Sequence, residues 1–242
     1  MCGRYTQGKA IPEVISYFVR RGLSLIASEQ LPLPSYNIAP SARAPVVFHE
    51  DDTLFLAPMQ WGFVPHWAKA LDELKSRPIN ARSEGAESAP FFRDAFKQGR
   101  CLIPATGFYE WQGNRSPKQP WFIHAVGEPI VSFAGLWSRW CMKEEELLTF
   151  AILTTDANET MQSLHHRMPC ILRPEDEARW LGIEAANSEE LKGLLRPCSS
   201  EYIALHPVST AVNRPGMEGP QLILPIELPE ERGQQGDLFG GA

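Results

Sequence analysis

The second residue of the chain is a cysteine, in the opening Met1-Cys2-Gly3-Arg4-Tyr5. The neighbour of Met1 is small, so removal of the initiator is expected, leaving Cys2 with a thiol and a free α-amine on adjacent carbons. An α-amine titrates near pKa ~7.8 and a lysine near ~10.4, so around pH ~7.5 its neutral, nucleophilic fraction is roughly a few hundred times larger. Such a pair captures an aldehyde in two steps. The amine forms an imine, and the thiol then closes a five-membered thiazolidine ring with the advantage of intramolecular proximity. The competing reading is an incidental cysteine on a frayed terminus, where disorder concentrates.

Other segments carry chemistry of their own. In Pro78-Ile79-Asn80-Ala81-Arg82-Ser83-Glu84 an amide and a guanidinium stand two residues apart, so on an extended stretch they face the same way. Arginine offers a fork of donors to phosphate, and asparagine fixes the orientation of an amine or carbonyl; the bland alternative is a surface turn. Glu110, between aromatics in Gly107-Phe108-Tyr109-Glu110-Trp111, is placed where burial would raise its pKa and suit it to acid/base work, unless that face is an exposed sheet edge. In Leu164-His165-His166-Arg167-Met168-Pro169, His165 is the candidate proton shuttle and His166 a bystander, against the alternative of a structural histidine. The rings of Trp61-Gly62-Phe63-Val64-Pro65-His66-Trp67 could stack on unpaired bases or fill a sheet core.

The elements that position these residues follow from patterning. Ile11, Val14, Ile15 and Phe18 have helical spacing, predicting a helix from about Ile11 to Gly22. Strand-like runs follow at Ala44–His49, Thr53–Pro58, Cys101–Gln112, Trp121–Val126, Ile130–Trp140 and Leu147–Thr155. A hairpin loop is expected at Gly113–Lys118 and a tight turn at Gly127–Pro129. Short helices are expected at Pro174–Leu181 and Ser188–Leu195, the second with Ser188 as N-cap, then a last strand at Glu201–Val208. With 21 prolines punctuating strand ends and no repeat or linker, the expectation is one α+β domain over residues 2–225. Its sheet is read as curled or barrel-like, mainly antiparallel and flanked by short helices.

Composition bounds the function. Hydrophobic content of 43% and charged content of 21% are those of an ordinary globular protein, no apolar run reaches a membrane span, and no signal-peptide core precedes the domain. A cytoplasmic, nucleoid-associated protein is expected. Five cysteines without a CxxC pair argue against a disulfide framework or a zinc site, so no metal and no cofactor is expected. The formal charge of −6 argues against indiscriminate nucleic-acid binding but not against a local basic groove. Residues 226–242 hold Glu227, Glu230, Glu231 and Asp237 against Arg232, a net −3, and read as an acidic, disordered tail.

The five segments quoted above, together with Tyr36-Asn37-Ile38-Ala39-Pro40, make six motifs that occur in the order seen in the SRAP (SOS response-associated peptidase) family, from Met1-Cys2-Gly3-Arg4-Tyr5 to Leu164-His165-His166-Arg167-Met168-Pro169. The chain resembles that family over about residues 2–225. The resemblance implies an enzyme that crosslinks itself to abasic sites in single-stranded DNA, with self-processing that exposes Cys2. It implies Cys2 as the attached residue, Glu110 and His165 as the acid/base pair, and Asn80 as the group orienting the Cys2 amine. Arg4, Arg82 and Arg167 would hold phosphates, Trp67 and Trp111 would pack near bases, and Thr154 would help hold the DNA backbone. Ala68 stands where the family can carry a second tryptophan, which weakens the case for stacking there.

The tail contains Gln235-Gly236-Asp237-Leu238-Phe239, similar to the Q-L-x-L-F peptide by which bacterial proteins bind the replication sliding clamp, with Gly236 in place of leucine. Gln235, Leu238 and Phe239 are the candidate clamp contacts; the alternative is a chance acidic tail. A monomer is expected. Two other function classes remain: an N-terminal-nucleophile amidohydrolase or thiol peptidase, and a non-catalytic module that binds modified DNA.

Overall fold

A computed structural model describes residues 2–113 and 118–228. The chain opens with β1 (Tyr5–Gln7), α1 (Ile11–Val19), β2 (Ile26–Ala27), β3 (Ser35–Ile38), β4 (Arg43–Glu50) and β5 (Thr53–Trp61). β6 (Asn80–Arg82) runs into α2 (Ser83–Ala86), and α3 (Arg93–Gln98) leads to β7 (Arg100–Ala105) and β8 (Gly107–Gln112). Then come β9 (Gln119–Ala125), β10 (Val131–Met142), β11 (Glu145–Asp156), α4 (Glu159–Gln162), β12 (Arg167–Pro169) and β13 (Ile171–Leu172). α5 (Glu177–Leu181), α6 (Ser188–Leu194) and β14 (Ile203–Pro207) complete the fold.

The larger sheet curls into a ring. β11, β10, β7, β4 and β5 pair antiparallel in that order, and β5 returns to β11 through the parallel pairs Thr149↔Gln60 and Phe150↔Trp61. Closure removes the free edges that an open sheet would have to protect. Side chains alternate accordingly. Val46, Phe48, Met59, Trp61, Cys101, Ile103, Phe133, Phe150 and Ile152 share one cluster, while their neighbours Val47, Leu56, Leu102, Ala134, Ala151 and Leu153 pack with Phe18 of α1, Phe96 of α3, Trp180 of α5 and Leu191 of α6. Both faces of these strands are buried, which is why they read as near-continuous apolar runs. The second sheet, in the order β14-β9-β8-β1-β3, is antiparallel throughout.

This is the expected α+β domain with a curled sheet and short helices, with three corrections of detail. The run Cys101–Gln112 is not one strand: β7 belongs to the ring and β8 to the second sheet. The switch occurs at Thr106, whose Oγ1 lies 2.7 Å from Thr6 Oγ1 and whose N–H donates to the Thr6 carbonyl at 2.8 Å. Gly107 is required there, because a Cβ would lie 2.4 Å from Phe122 Cζ and 2.5 Å from the Ile123 carbonyl oxygen. The first helix stops at Val19, with Gly22 at φ 77° completing the turn away. The last helix is capped by Asn187, not Ser188. Its side chain accepts from Glu190 N while the Glu190 carboxylate accepts from Asn187 N, a capping box one residue earlier than predicted. The Gly113–Lys118 loop largely, and the tail beyond 228 with Gln235, Leu238 and Phe239, lie outside the described residues. No helix among the described residues is long and apolar enough to cross a membrane.

Glu177 ties α5 to α1 and β10: fully buried, its Oε1 accepts from Tyr17 Oη at 3.0 Å and Ser132 Oγ at 2.6 Å, and Oε2 has no hydrogen-bond partner among the described residues. Burial pushes its pKa up to about 7, the two hydrogen bonds working against the rise. The folded value stands above the unfolded one of about 4.3, so the folded state binds the proton more tightly. That contribution is complete at acid pH and is lost as pH rises towards the folded pKa. The stability advantage of the native chain over Glu177→Gln should therefore fall between about pH 5 and pH 8, by up to about 3 kcal/mol. Urea unfolding at both pH values measures this, and a difference that does not move with pH refutes it.

Candidate active site

Cys2 is not on a frayed end. It is fully buried, in one cluster with Tyr5, Trp61 and Ile152. Two elements hold it there. β1 pairs with β8 through Tyr5↔Phe108, extended by a 2.9 Å bond from Tyr109 N to the Arg4 carbonyl. Across the site, Asn80 Nδ2 donates to the Cys2 carbonyl at 2.9 Å. The other end of that amide, Asn80 Oδ1, is buried with no hydrogen-bond partner among the described residues. Asn80 stands opposite Ile152 of β11, with Ala81 turned to the helix-covered side and Arg82 exposed at the strand's end. Burial raises the Cys2 thiol pKa far above its ordinary value, and the negative charge of Glu110 pushes the same way. A thiol so placed is protonated at neutral pH, the reverse of the depressed pKa found in thiolate nucleophiles.

Glu110 comes from β8, two residues beyond the β1 pairing, and is buried rather than on an exposed sheet edge. Its Oε1 accepts from Trp111 N at 3.4 Å. Its charge is felt at Cys2 and also at His165, where burial lowers the imidazole pKa and Glu110 opposes the fall. The three groups therefore share one electrostatic neighbourhood although 108 and 55 residues separate them along the chain. His165 follows α4, whose N-cap Asn158 accepts from Met161 N; Met161 is fully buried, and its carbonyl accepts from His165 N at 2.9 Å. His165 Nδ1 accepts from the backbone N–H of Arg167 at 2.9 Å. A backbone N–H only donates, so the neutral ring carries its proton on Nε2. His166, the expected bystander, is exposed and stacks on His165 with centroids 4.3 Å apart.

The three arginines expected at phosphates occupy three different settings. Arg82 is exposed and forms no ion pair among the described residues. Arg4 is partly buried: its Nη1 donates to Asn37 Oδ1 at 2.6 Å and to the Val212 carbonyl at 3.1 Å, and its Cζ lies 5.9 Å from the Trp111 ring. Arg167 is buried, its two terminal nitrogens are taken within the fold, and its Nε has no hydrogen-bond partner among the described residues. Nη1 donates to Glu84 Oε1 (2.6 Å) and Asp156 Oδ1 (2.7 Å), and Nη2 to Glu84 Oε2 (2.9 Å) and the Thr154 carbonyl (2.5 Å). Thr154, expected at the DNA backbone, is fully buried, and its hydroxyl donates to the Ala81 carbonyl at 3.3 Å, joining β6 to β11. Trp111 is partly exposed, with Nε1 donating to Asn213 Oδ1 at 2.6 Å. Trp67 is 49% exposed and stands against Phe91, on a cavity of about 260 Å³ that Asp94, Trp137 and Arg139 also line.

Sequence reasoning gave no role to Asn37, Glu84, Asp156 or Asn213. Asn37 and Glu84 sat inside quoted segments, and the two carboxylates pair with Arg167 only once β11 and α2 are in place.

The sequence matches the family described as "SOS response associated peptidase (SRAP)" over residues 1–215. Similar proteins include the abasic site processing protein YoqW of Bacillus subtilis, 35% identical over 225 residues that cover 92% of this chain and 99% of the relative. YedK of Escherichia coli, also named an abasic site processing protein, is 30% identical over 228 residues, 93% of this chain and 100% of the relative. HMCES of Gallus gallus, of the same description, is 34% identical over 228 residues, 81% of this chain and 67% of the relative. A solved structure of a Bacteroides thetaiotaomicron protein superposes with a TM-score of 0.81 at 26% identity, covering 93% of this chain and 100% of the other.

The contrast among thiols is testable. Cys141 is exposed, whereas Cys2 is buried with a raised pKa. Limited alkylation with iodoacetamide at neutral pH should label Cys141 first and Cys2 at least about tenfold more slowly, read by peptide mass spectrometry. Equal rates would contradict the burial of Cys2.

Proposed function

The chain belongs to the SOS response associated peptidase (SRAP) family, and from that premise we propose that it captures abasic sites in single-stranded DNA covalently through Cys2. The relatives' common description as abasic site processing proteins supports the substrate. The observation that carries the reading is the convergence of Cys2, Asn80, Glu110 and His165, from four separate segments, on one place. Removal of Met1, by a methionine-removing peptidase or by the chain's own peptidase activity, exposes the α-amine.

An abasic deoxyribose rests mainly as a cyclic hemiacetal. Opening it breaks the bond from C1′ to the ring oxygen in one proton relay. His165 Nε2–H passes its proton to that oxygen while Glu110 takes the C1′ hydroxyl proton, leaving the aldehyde, and returns it to Nε2 so that no imidazolate is left. The Cys2 amine attacks C1′, and water leaves as the imine forms, with Glu110 relaying protons. Asn80, whose Nδ2 already holds the Cys2 carbonyl, turns its unsatisfied Oδ1 to an amine N–H. The thiol then adds to the same carbon of the protonated imine, whose nitrogen takes the electron pair and keeps its proton, and the thiol proton passes to Glu110 as the thiazolidine closes. Oxidation states do not change, and the sum is aldehyde plus aminothiol giving thiazolidine plus water. An imine left open would permit strand cleavage by β-elimination, so ring closure protects the strand.

The protonated thiol favours this order of events. A hydrolase in which sulfur attacks first needs the thiolate that burial and Glu110 disfavour; an amine-first reaction asks for sulfur only after the imine has formed. Arg82, exposed at the end of β6, supplies the phosphate contact, with Arg4 and Trp111 at the end of the β1–β8 pair and Trp67 as a further aromatic surface for bases.

A denaturing gel tests the reading, with mature protein, an oligonucleotide carrying one abasic site, and Cys2→Ala beside the native chain. The expected result is a heat-stable shifted band that requires both lesion and Cys2. A stable adduct in Cys2→Ala, or none with the native chain once its N-terminus is verified as Cys2, overturns it. We also propose that the tail docks on the replication sliding clamp through Gln235, Leu238 and Phe239. Truncation after Gly233 should abolish clamp binding in a pull-down with purified clamp, and unchanged affinity rejects the docking.

A further inference from the structure

Arg167 is held by the fold at both terminal nitrogens of its guanidinium. Four hydrogen bonds fix its fork: two to Glu84, one to Asp156 and one to the Thr154 carbonyl. Its side chain is 8% exposed, while those of Glu84 and Asp156 are 54% and 80% exposed. The carboxylates thus keep much of their hydration while the guanidinium loses its own, and only that fork replaces the lost water. The same residue's backbone N–H carries the 2.9 Å bond to His165 Nδ1. Side chain and main chain of Arg167 therefore face two sides of one junction, where β12 joins β11 through Asp156↔Arg167 and Ala157 N donates to the His166 carbonyl at 3.0 Å.

We propose that Glu84 and Asp156 are positioning residues that act through Arg167, holding its backbone N–H against His165 Nδ1 so that the ring presents Nε2–H to the reacting sugar. The assignment of His165 to ring opening rests on the function proposed above; the tautomer it requires does not. A histidine whose Nδ1 is occupied has one proton to offer and one direction in which to offer it. Without the clamp the ring would exchange tautomers, and a share of the molecules would face the sugar with a bare nitrogen. The charged groups around the ring are Glu110 on β8, the N-terminal amine and the neighbouring His166; none is altered by substitution at Glu84.

The test separates positioning from phosphate binding. Glu84→Gln and Arg167→Ala are compared with the native chain for crosslinking rate at saturating abasic oligonucleotide, for half-saturating concentration, and for the His165 tautomer by long-range nitrogen–proton NMR. The NMR uses histidine-labelled protein, the signal being assigned with His165→Gln and folding checked by circular dichroism. Positioning predicts Nε2–H alone in the native chain and an Nδ1–H population in both variants. It also predicts a rate at saturation lower by about tenfold or more, with the half-saturating concentration of Glu84→Gln within about twofold. Arg167→Lys keeps the charge but not the fork and should fail to restore the rate. A phosphate role predicts the opposite for Glu84→Gln, because freeing the guanidinium would tighten DNA binding and leave the tautomer alone; that result overturns the proposal. Should Arg167→Ala not fold, Glu84→Gln decides alone. A native chain that forms no crosslink refutes the proposed function, and the NMR comparison still decides the positioning claim.

Discussion

The site depends on one demand, that the backbone groups along both edges of β11 find partners through its buried stretch from Thr149 to Thr154. A central strand cannot leave a run of N–H and C=O groups unpaired without a cost comparable to many lost hydrogen bonds. On one edge β10 pairs as far as Ile152, and β12 then takes over from Thr154 to Asp156. On the other, β5 pairs at Thr149 and Phe150 and β6 continues from Ile152 to Thr154. Where the ring-forming partners end, the two short replacement strands begin. They carry Asn80 and Arg82 on one side and Arg167, just past His165, on the other. Completing β11 and assembling the site are one event.

The second sheet brings the rest through β1. Its register with β8 sets Cys2 and Glu110 at the same end of the pairing, and the step from β7 to β8 at Thr106 links that register to the ring. Asn80 then bridges the two sheets by its bond to the Cys2 carbonyl. A residue near a chain end is ordinarily free to move; here burial of Cys2 beside Tyr5 and Trp61 and a hydrogen bond from a central-strand neighbour remove that freedom.

The ring strands were legible because each buries both faces and so reads as an apolar run, Ile130–Trp140 above all. β1, β3 and β6, of three or four residues, are too short for any periodicity to show. The break at Thr106 was hidden because strand-forming residues flank it on both sides, and the fold makes the turn through a sheet-switching contact with Thr6 that no local pattern encodes. At the site, the residue types of Cys2, Asn80, Glu110 and His165 pointed to their chemistry, and their order along the chain to a family. What sequence could not give was occupancy. Arg4, Arg82 and Arg167 are alike in type, yet one is partly tied to Asn37, one is exposed and one is consumed by Glu84 and Asp156, and only the strand registers distinguish them.

The protonation states fit a reaction that passes through neutral partners. His165 is lowered by burial and tautomerically fixed, and the Cys2 thiol is held in its S–H form. In the proposed sequence neither need ionise beforehand: the imidazole lends an N–H to the ring oxygen, and the thiol gives up its proton only as sulfur meets the imine carbon. Glu110 is the group whose negative charge both of them feel. That charge makes the thiol a worse acid while the imine is absent. Once the amine has become a protonated imine, the new positive charge lies on the C=N unit that includes the Cys2 nitrogen itself, and it offsets Glu110 at the sulfur. The thiol is thereby released for attack by the product of the preceding step. Burial that makes Cys2 inert before the lesion binds is thus consistent with its reacting afterwards, because the charge that activates the sulfur is made by the reaction.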